Sequence, residues 1–460
     1  MKRILSLLMA IIMLSMCLGL VACGDGELNV LVNGESLEEY TVVIPKECDK
    51  ITQYAAQNFI FLLKDTLGIE LPLVTDDTAE VEKEILIGET NREASKTTVE
   101  LKDGEYLLFT SGAKIVMKGY GIYVGGACGS FVNLHIRPLL TGKSKIKVNT
   151  LDNTATATKF QFAETYTSVI FMIGDGMGYN HIRMAERHMT DSFVGRYFPN
   201  MGWSVTASLS VLKGDIDYTD SAASATAMAT GYKTYNRYVG MSPEGASLLN
   251  VRELAHSKGA KTAVITTDIV TGATPSGFLC HVQDRGSTEE LQAQIDKIVA
   301  EGKIDYLKAD IPHSTAVHLE CVKNELKTAL ETISAGNGSF FIMAEEAYID
   351  KYADDYEYMN TINSVKRLND AAIYATEFVL CHPSTALIIT ADHETGGLID
   401  DSSNPAMFSF TTHNHTNTKV PVFAIGPGTQ IFNTTYDNTD LAKFIAKAYS
   451  TEAFGTSEEY

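Results

Sequence analysis

The run Thr167-Ser-Val-Ile-Phe-Met-Ile-Gly174 limits the folds open to this chain more than any other stretch. It is apolar throughout, without the alternation of a half-exposed strand, so it reads as a strand covered on both faces. It closes on Gly174-Asp-Gly-Met-Gly178 and then turns into a helix. The same alternation recurs. A helix over 247–257 leads to the strand Lys261–Thr266, and one over 288–302 leads to Ile304–Leu307. A helix over 321–335 leads to Ser339–Met343, and one over 361–380 leads to Thr385–Thr390. Val420–Ile425 precedes a last helix over 438–449. Strands alternating with helices predict an α/β fold, a mainly parallel sheet sandwiched by helices. Such a sheet collects its ligands at the carboxyl ends of its strands.

A chain of 460 residues is too long for one ordinary domain. Residues 23–148 read as a small α+β domain, with strand-like Tyr40–Pro45, a helix over 49–67 capped by Asp49, and strands at 84–88, 105–109 and 114–117. The order of these elements resembles the small α/β domain that precedes the barrel of hexosaminidases and glucuronidases. The stretch 120–130 is glycine-rich but lacks GxGxxG spacing, so a nucleotide site is disfavoured there. Residues 149–160, polar and aperiodic at their start, are expected to be the linker to a catalytic domain over 161–460.

The N-terminus predicts export. Lys2 and Arg3 precede the apolar run Ile4–Ala22, which makes 1–22 a signal peptide. The ending Leu20-Val-Ala-Cys23 resembles a bacterial lipobox and implies a lipid anchor on Cys23 at the cell envelope. An uncleaved membrane anchor is the competing reading. Five cysteines remain after Cys17 and Cys23, widely spaced and odd in number, so no disulfide pairing can be read. The formal charge of −20 argues against a nucleic-acid partner. A chain this acidic that handles anions needs metals or local arginine to reverse the field at its site.

The polar residues at the strand ends form a set. Asp175 closes the first strand; Thr274 and Arg285 follow the Lys261–Thr266 strand. Glu345, Asp350 and Asp354 follow Ser339–Met343, Asp392 and His393 follow Thr385–Thr390, and His413 and His415 precede Val420. Mixed carboxylate and imidazole ligands suit zinc, and an all-oxygen set suits magnesium. Ser221 opens the small-residue stretch Ser221-Ala-Ala-Ser-Ala-Thr-Ala227, which reads as a helix capped by Asp220. A hydroxyl there faces the unpaired N–H groups and positive dipole end that favour a phosphate. A plain N-cap reading stays open for the stretch taken alone.

Ile173-Gly-Asp-Gly-Met-Gly178, Asp220-Ser-Ala-Ala-Ser224, Ala273-Thr-Pro275, Ala391-Asp-His393 and His415-Thr416 occur in one order across about 165–455. Together they resemble the signature of the alkaline phosphatase family. The resemblance implies hydrolysis of small phosphomonoesters through a phosphoserine on Ser221, with two zinc ions and one magnesium. It implies Asp175, Ser221, Asp392 and His393 at the second zinc, with Asp175 shared with the magnesium, and Thr274 and Glu345 at the magnesium. Asp350 and His415 fall to the first zinc, and Arg285, with Lys351, to phosphate. Members commonly dimerise, which adds a homodimer as an expectation. Two positions depart from the pattern. Asp354 stands where a His is usual, which predicts an oxygen ligand and another divalent metal at the first site, with His413 or Asp355 as substitutes. Gly272 stands where members carry Asp or His near the magnesium. Two alternatives stay open: a phosphodiesterase of the same superfamily, and a carbohydrate- or phosphate-binding lipoprotein with a degenerate metal site.

Overall fold

The strand Ser168–Gly174 (β1) lies at the centre of an eight-stranded sheet, and every one of its residues is buried. The remaining strands are Asn200–Val205 (β2), Lys261–Thr266 (β3), Tyr306–Lys308 (β4), Phe340–Glu346 (β5), Thr385–Thr390 (β6), Val420–Ile425 (β7) and Thr435–Asp437 (β8). Their order is β4-β3-β5-β1-β6-β7-β2-β8. Only β7 runs against the others, antiparallel to both β6 and β2. This is a computed structural model, and it describes residues 29–140, 145–148, 151–313, 319–405 and 407–457. The expected signal peptide and Cys23 lie outside those residues.

Alternation along each central strand feeds two cores. Ile170 and Met172 point to one, with Leu326, Val365 and Phe378 from the helices Cys321–Ile333 and Tyr358–Cys381. Val169, Phe171 and Ile173 point to the other, with Ala222, Ala225 and Met228 from the helix Ser221–Thr230. The expected sandwich of a mainly parallel sheet between helices is therefore present. Three details differ from expectation. β2 and β8 are additional strands, and β2 carries a glycine and buries only alternate residues, a weak signal beside the continuous apolar runs. The helix expected over 247–257 starts at Val251, because Asn250 and Glu253 form a capping box there. The strand expected at 304–307 is the short Tyr306–Lys308.

The front region builds a six-stranded sheet from Leu73–Thr75, Thr41–Ile44, Glu84–Ile87, Lys114–Gly119, Glu105–Ser111 and Thr158–Lys159, in that order. Thr158–Lys159, at the end of the expected linker, pairs with this sheet instead of running free; residues 149–150 lie outside the described ones. The helix Lys50–Leu67 is capped by the Asp49 side chain as expected. The glycine-rich stretch forms the helix Val124–Ser130. A Cβ on Gly129 would come within 2.5 Å of the Leu380 carbonyl oxygen, so glycine here lets this helix lie against Tyr358–Cys381. Gly125 N donates to Glu377 Oε2 at 2.8 Å across the same contact. Tyr54 and Ile122 enter the core around β1, and Cys381 enters the front core, so the two regions share buried surface. The five described cysteines are free. No helix among the described residues is long and apolar enough to cross a membrane.

Candidate active site

The helix Ser221–Thr230 starts where the sequence places it. Asp220 Oδ1 accepts from Ala223 N at 3.0 Å, and Gly231 ends the helix at φ 76°. Ser221 is 4% exposed, and its Oγ lies 3.2 Å from His393 Nε2, 172 residues away in sequence. That nitrogen also lies 3.2 Å from Asp392 Oδ2 and 3.5 Å from Asp175 Oδ1. One ring nitrogen thus faces three oxygens from three segments. Neither Asp175 Oδ1 nor Asp392 Oδ2 accepts a hydrogen bond, although both are buried. The other Asp392 oxygen is fully used, accepting from Gly176 N and His393 N at 3.0 Å each.

The loop after β1 needs its glycine. Gly176 sits at φ +74°, and a Cβ there would come within 2.8 Å of Asp350 Cα and 2.7 Å of Thr395 Oγ1. Asp350 can therefore press against the Asp175 loop. Asp350 Oδ1 accepts from Thr395 Oγ1 and lies 3.4 Å from His415 Nε2. The ring of His415 stacks on that of His393 at 3.5 Å.

Hydrogen bonds orient both imidazoles. His415 Nδ1 is 2.8 Å from the Thr219 carbonyl oxygen, which can only accept, so Nδ1 carries a proton, and Nε2, facing Asp350, is the nitrogen left for a cation. Thr395 Oγ1 spends its proton on Asp350, so it accepts from His393 Nδ1 at 3.2 Å, which leaves the lone pair of the neutral His393 ring on Nε2. Both Nε2 atoms then point into the carboxylates. Two triads bring ligand atoms within 4.8 Å of one another: Asp175, Asp392 and His393, and Asp350, His393 and His415.

A third group lies beside them. Glu345, 1% exposed, accepts from Thr266 Oγ1, and the buried Thr274 hydroxyl lies beside its carboxylate without a well-aligned hydrogen bond. Glu346 points to the opposite face of β5 and pairs with Arg367 at 2.8 Å, both side chains 0% exposed. The strand pleat thus separates the two glutamates, Glu345 to the site and Glu346 to the core.

Charge is concentrated here. Burial, then the fields of Asp392, Asp350, Glu345 and Asp268, drive the Asp175 carboxyl well above its ordinary value. Burial, then Asp268, pushes Glu345 up to about 8, and burial raises Asp392 to about 6. Asp350 goes the other way: burial opposes its ionisation, but His415 and His393 outweigh it. Burial works against a charged His415, yet Asp350 raises it to about 9. Burial and the neighbouring His415 hold His393 neutral. Carboxylates this crowded, with buried oxygens lacking partners, fit divalent cations. The imidazole-containing triads suit zinc, and the all-oxygen group around Glu345 suits magnesium.

The other expected residues take these places. Arg285 Nη1 donates to Asp220 Oδ2 at 3.3 Å, which ties the arginine to the cap of the Ser221 helix. Lys351 forms an ion pair with Asp268. Asp354 joins neither triad; it borders the one of Asp350, His393 and His415 through the fields of Asp350 and His415, and burial leads in raising its carboxyl. His413 stacks on Tyr356 at 3.9 Å, with Nδ1 at 2.5 Å from the Asp354 carbonyl oxygen. Asp355 is exposed. Sequence reasoning missed Asp268, two residues beyond the end of β3, although the rule that singled out the other strand-end acids also covers it. It missed Thr395 and Thr219 too, whose roles depend on contacts made only in the folded chain.

The family model for alkaline phosphatase matches residues 166–320 and 313–407, more than half of the chain. "Alkaline phosphatase 4" of Bacillus subtilis (strain 168) is 29% identical over 285 residues, covering 50% of this chain and 62% of that protein, so the chain spans under two thirds of that relative. The solved alkaline phosphatase of the Antarctic bacterium TAB5 is 26% identical with a TM-score of 0.57, covering 62% of this chain and 98% of that one. A mutant of that enzyme with magnesium bound in its M3 site is similar at the same identity, with a TM-score of 0.55, and covers 63% of this chain and 99% of its own. With its strand-end carboxylates and imidazoles gathered around Ser221, and with a family match that runs from residue 166 to 407, this chain belongs to the alkaline phosphatase family.

Proposed function

We propose that this protein hydrolyses phosphate monoesters through a phosphoserine formed on Ser221. The observation that carries this reading is the convergence of Ser221 Oγ, Asp175 Oδ1 and Asp392 Oδ2 on one imidazole nitrogen, with both carboxylate oxygens buried and unpartnered. Asp175, Asp392 and His393 would hold one zinc with Ser221. Asp350, His415 and Asp354 would hold a first-site divalent ion, and Glu345, Thr274 and Asp175 a magnesium. Bound there, the cations would activate the serine hydroxyl and offset the charge of the phosphate and the leaving oxygen.

The chain's own residues do the rest. Helix packing holds Ser221 Oγ in the cluster for attack. The Oγ–P bond forms as the bond from phosphorus to the leaving oxygen breaks, the proton given up by the Ser221 hydroxyl ending on that oxygen to release the alcohol. Water then attacks the phosphoserine, returning a proton to Ser221 Oγ and releasing inorganic phosphate. Arg285, tethered to Asp220 and partly exposed, supplies the planar fork that matches two phosphate oxygens. Local positive charge from the cations and Arg285 is also what an acidic chain needs to admit an anion. We extend the reading to an exported protein anchored through Cys23, supported by the N-terminal pattern, and to a homodimer, supported by the family.

Two measurements test it. Release of nitrophenol from para-nitrophenyl phosphate should fall at least about a thousandfold in Ser221→Ala and vanish after chelation. Turnover that survives the substitution, or a stronger preference for bis-para-nitrophenyl phosphate, removes the phosphomonoesterase reading. Metal analysis of the purified protein addresses the first site. Asp354→Ala should lose the first-site ion, whereas two tightly held zincs in that variant would rule Asp354 out as a ligand.

A further inference from the structure

Gly272 leaves a gap in the third group of oxygen donors, and the structure shows what fills it. A Cβ built on Gly272 would overlap the Asp268 carboxylate, and would also come within 3.0 Å of the Ile269 carbonyl oxygen. The carboxylate from four residues earlier therefore occupies the space that a side chain at 272 would need. Its backbone is fixed in place: Asp268 N donates to Thr266 Oγ1 at 2.8 Å, and the same hydroxyl donates to Glu345. Asp310 N donates to Asp268 O at 2.8 Å. The Asp268 side chain is only 18% exposed, and its other oxygen pairs with Lys351.

Two neighbours point to a ligand at this spot. Asp175 Oδ1, in a residue 6% exposed, accepts no hydrogen bond. The Thr274 hydroxyl, in a residue 1% exposed, makes no well-aligned one. Asp268 is also the strongest charged influence on Glu345, and it acts on Asp175 as well, so it faces the same volume. Among the described residues the cation paired with this group is Lys351, which is itself 39% exposed.

We propose that Asp268 supplies the carboxylate of the all-oxygen metal position beside Glu345 and Thr274, in place of the side chain absent at Gly272. This rests on the metal-dependent reading above and adds a donor to it from a different point in the loop. All donors are oxygens, which favours a hard cation such as Mg²⁺ or Mn²⁺ that keeps part of its water. Lys351, paired to the same carboxylate, then competes with the cation for it.

Mn²⁺ titration of the zinc-loaded full chain, followed by electron paramagnetic resonance and reversed by Mg²⁺, tests this without measuring turnover. Wild type should bind one Mn²⁺ that Glu345→Gln removes. Asp268→Asn should weaken that binding about tenfold or more, the scale of losing a metal's supporting carboxylate. Lys351→Met should strengthen it, since a competing charge is gone. Asp268→Ala combined with Gly272→Asp should restore it, and decides alone if Asp268→Asn does not fold. If Asp268→Asn stays within twofold of wild type while Glu345→Gln abolishes binding, the assignment of Asp268 fails and the metal reading stands. If Asp268→Asn and Lys351→Met weaken binding alike, Asp268 acts only through Lys351 and the assignment fails. If wild type binds no Mn²⁺ at that position, both fail.

Discussion

Glu84 in the front sheet and Glu345 in the main sheet are the same residue type at the same burial, each 1% exposed, yet their carboxyls move in opposite directions. Glu84 is held below its ordinary value: burial opposes this, but Lys114 Nζ at 2.6 Å and Arg92 Nη2 at 3.1 Å prevail. Glu345 has hydroxyls as its neighbours, with Asp268 near, and rises to about 8. Glu346, next in sequence, has its own arginine on the other face. Burial acts on all three: two cations outweigh it at Glu84, the one arginine at Glu346 leaves that carboxyl still raised, and among the described residues no cation is paired with Glu345.

The largest effect that would sharpen this contrast is in the chelated protein. The folded pKa of Glu345, about 8, exceeds its ordinary 4.5. Its contribution to stability is therefore fully present below pH 4.5 and is lost as pH rises through 8. The metal-free protein should melt lower at pH 8 than at pH 5, by a difference on the order of a few kcal/mol, and Glu345→Gln should reduce that slope. An unchanged slope in the variant breaks the contrast. Glu84→Gln should do the opposite, destabilising the protein at pH 7 by about 3 kcal/mol in urea unfolding, because the buried Arg92 loses its carboxylate and Lys114 is left with Glu80. A change under about 0.5 kcal/mol would show that the front ion pairs contribute nothing.

The smallest effect concerns His382, where the two regions meet. Its ring stacks on Phe378 at 3.9 Å and lies near Phe61 from the front helix. Burial lowers it to about 4 from an ordinary 6.5. The unfolded chain binds the extra proton in that window, so this stability is present above pH 6.5 and is lost as pH falls toward 4. His382→Gln should narrow the gap between urea melts at pH 7 and pH 4.5 by about 2 kcal/mol. An identical gap would remove His382 from the acid response.

Much of the fold was legible in the chain. Continuous apolar runs marked β1, β3, β5, β6 and β7, because strands covered on both faces need no polar alternation. Asp49 and Asp220 announced their helices through a side chain that reaches only local N–H groups. β2 and β8 were not legible, since a short strand at or next to the sheet edge draws its stability from a partner distant in sequence. Within the site, the strand-end rule found Asp175, Glu345 and Asp392 but passed over Asp268. Nothing in the residues around Gly272 says which neighbouring side chain turns into the space it leaves.

By itself the sequence determined the strand-helix alternation, the cap and start of the Ser221 helix, and the ordered segments that mark the family. Each depends on contacts a few residues apart, where propensity, periodicity and capping act. Only the tertiary structure decided that His393 meets Ser221 at 3.2 Å, that Glu345 faces the site while Glu346 faces Arg367, and that Asp268 enters the space beside Gly272. Those outcomes follow from strand order and from the packing of segments far apart in the chain, which no local pattern encodes.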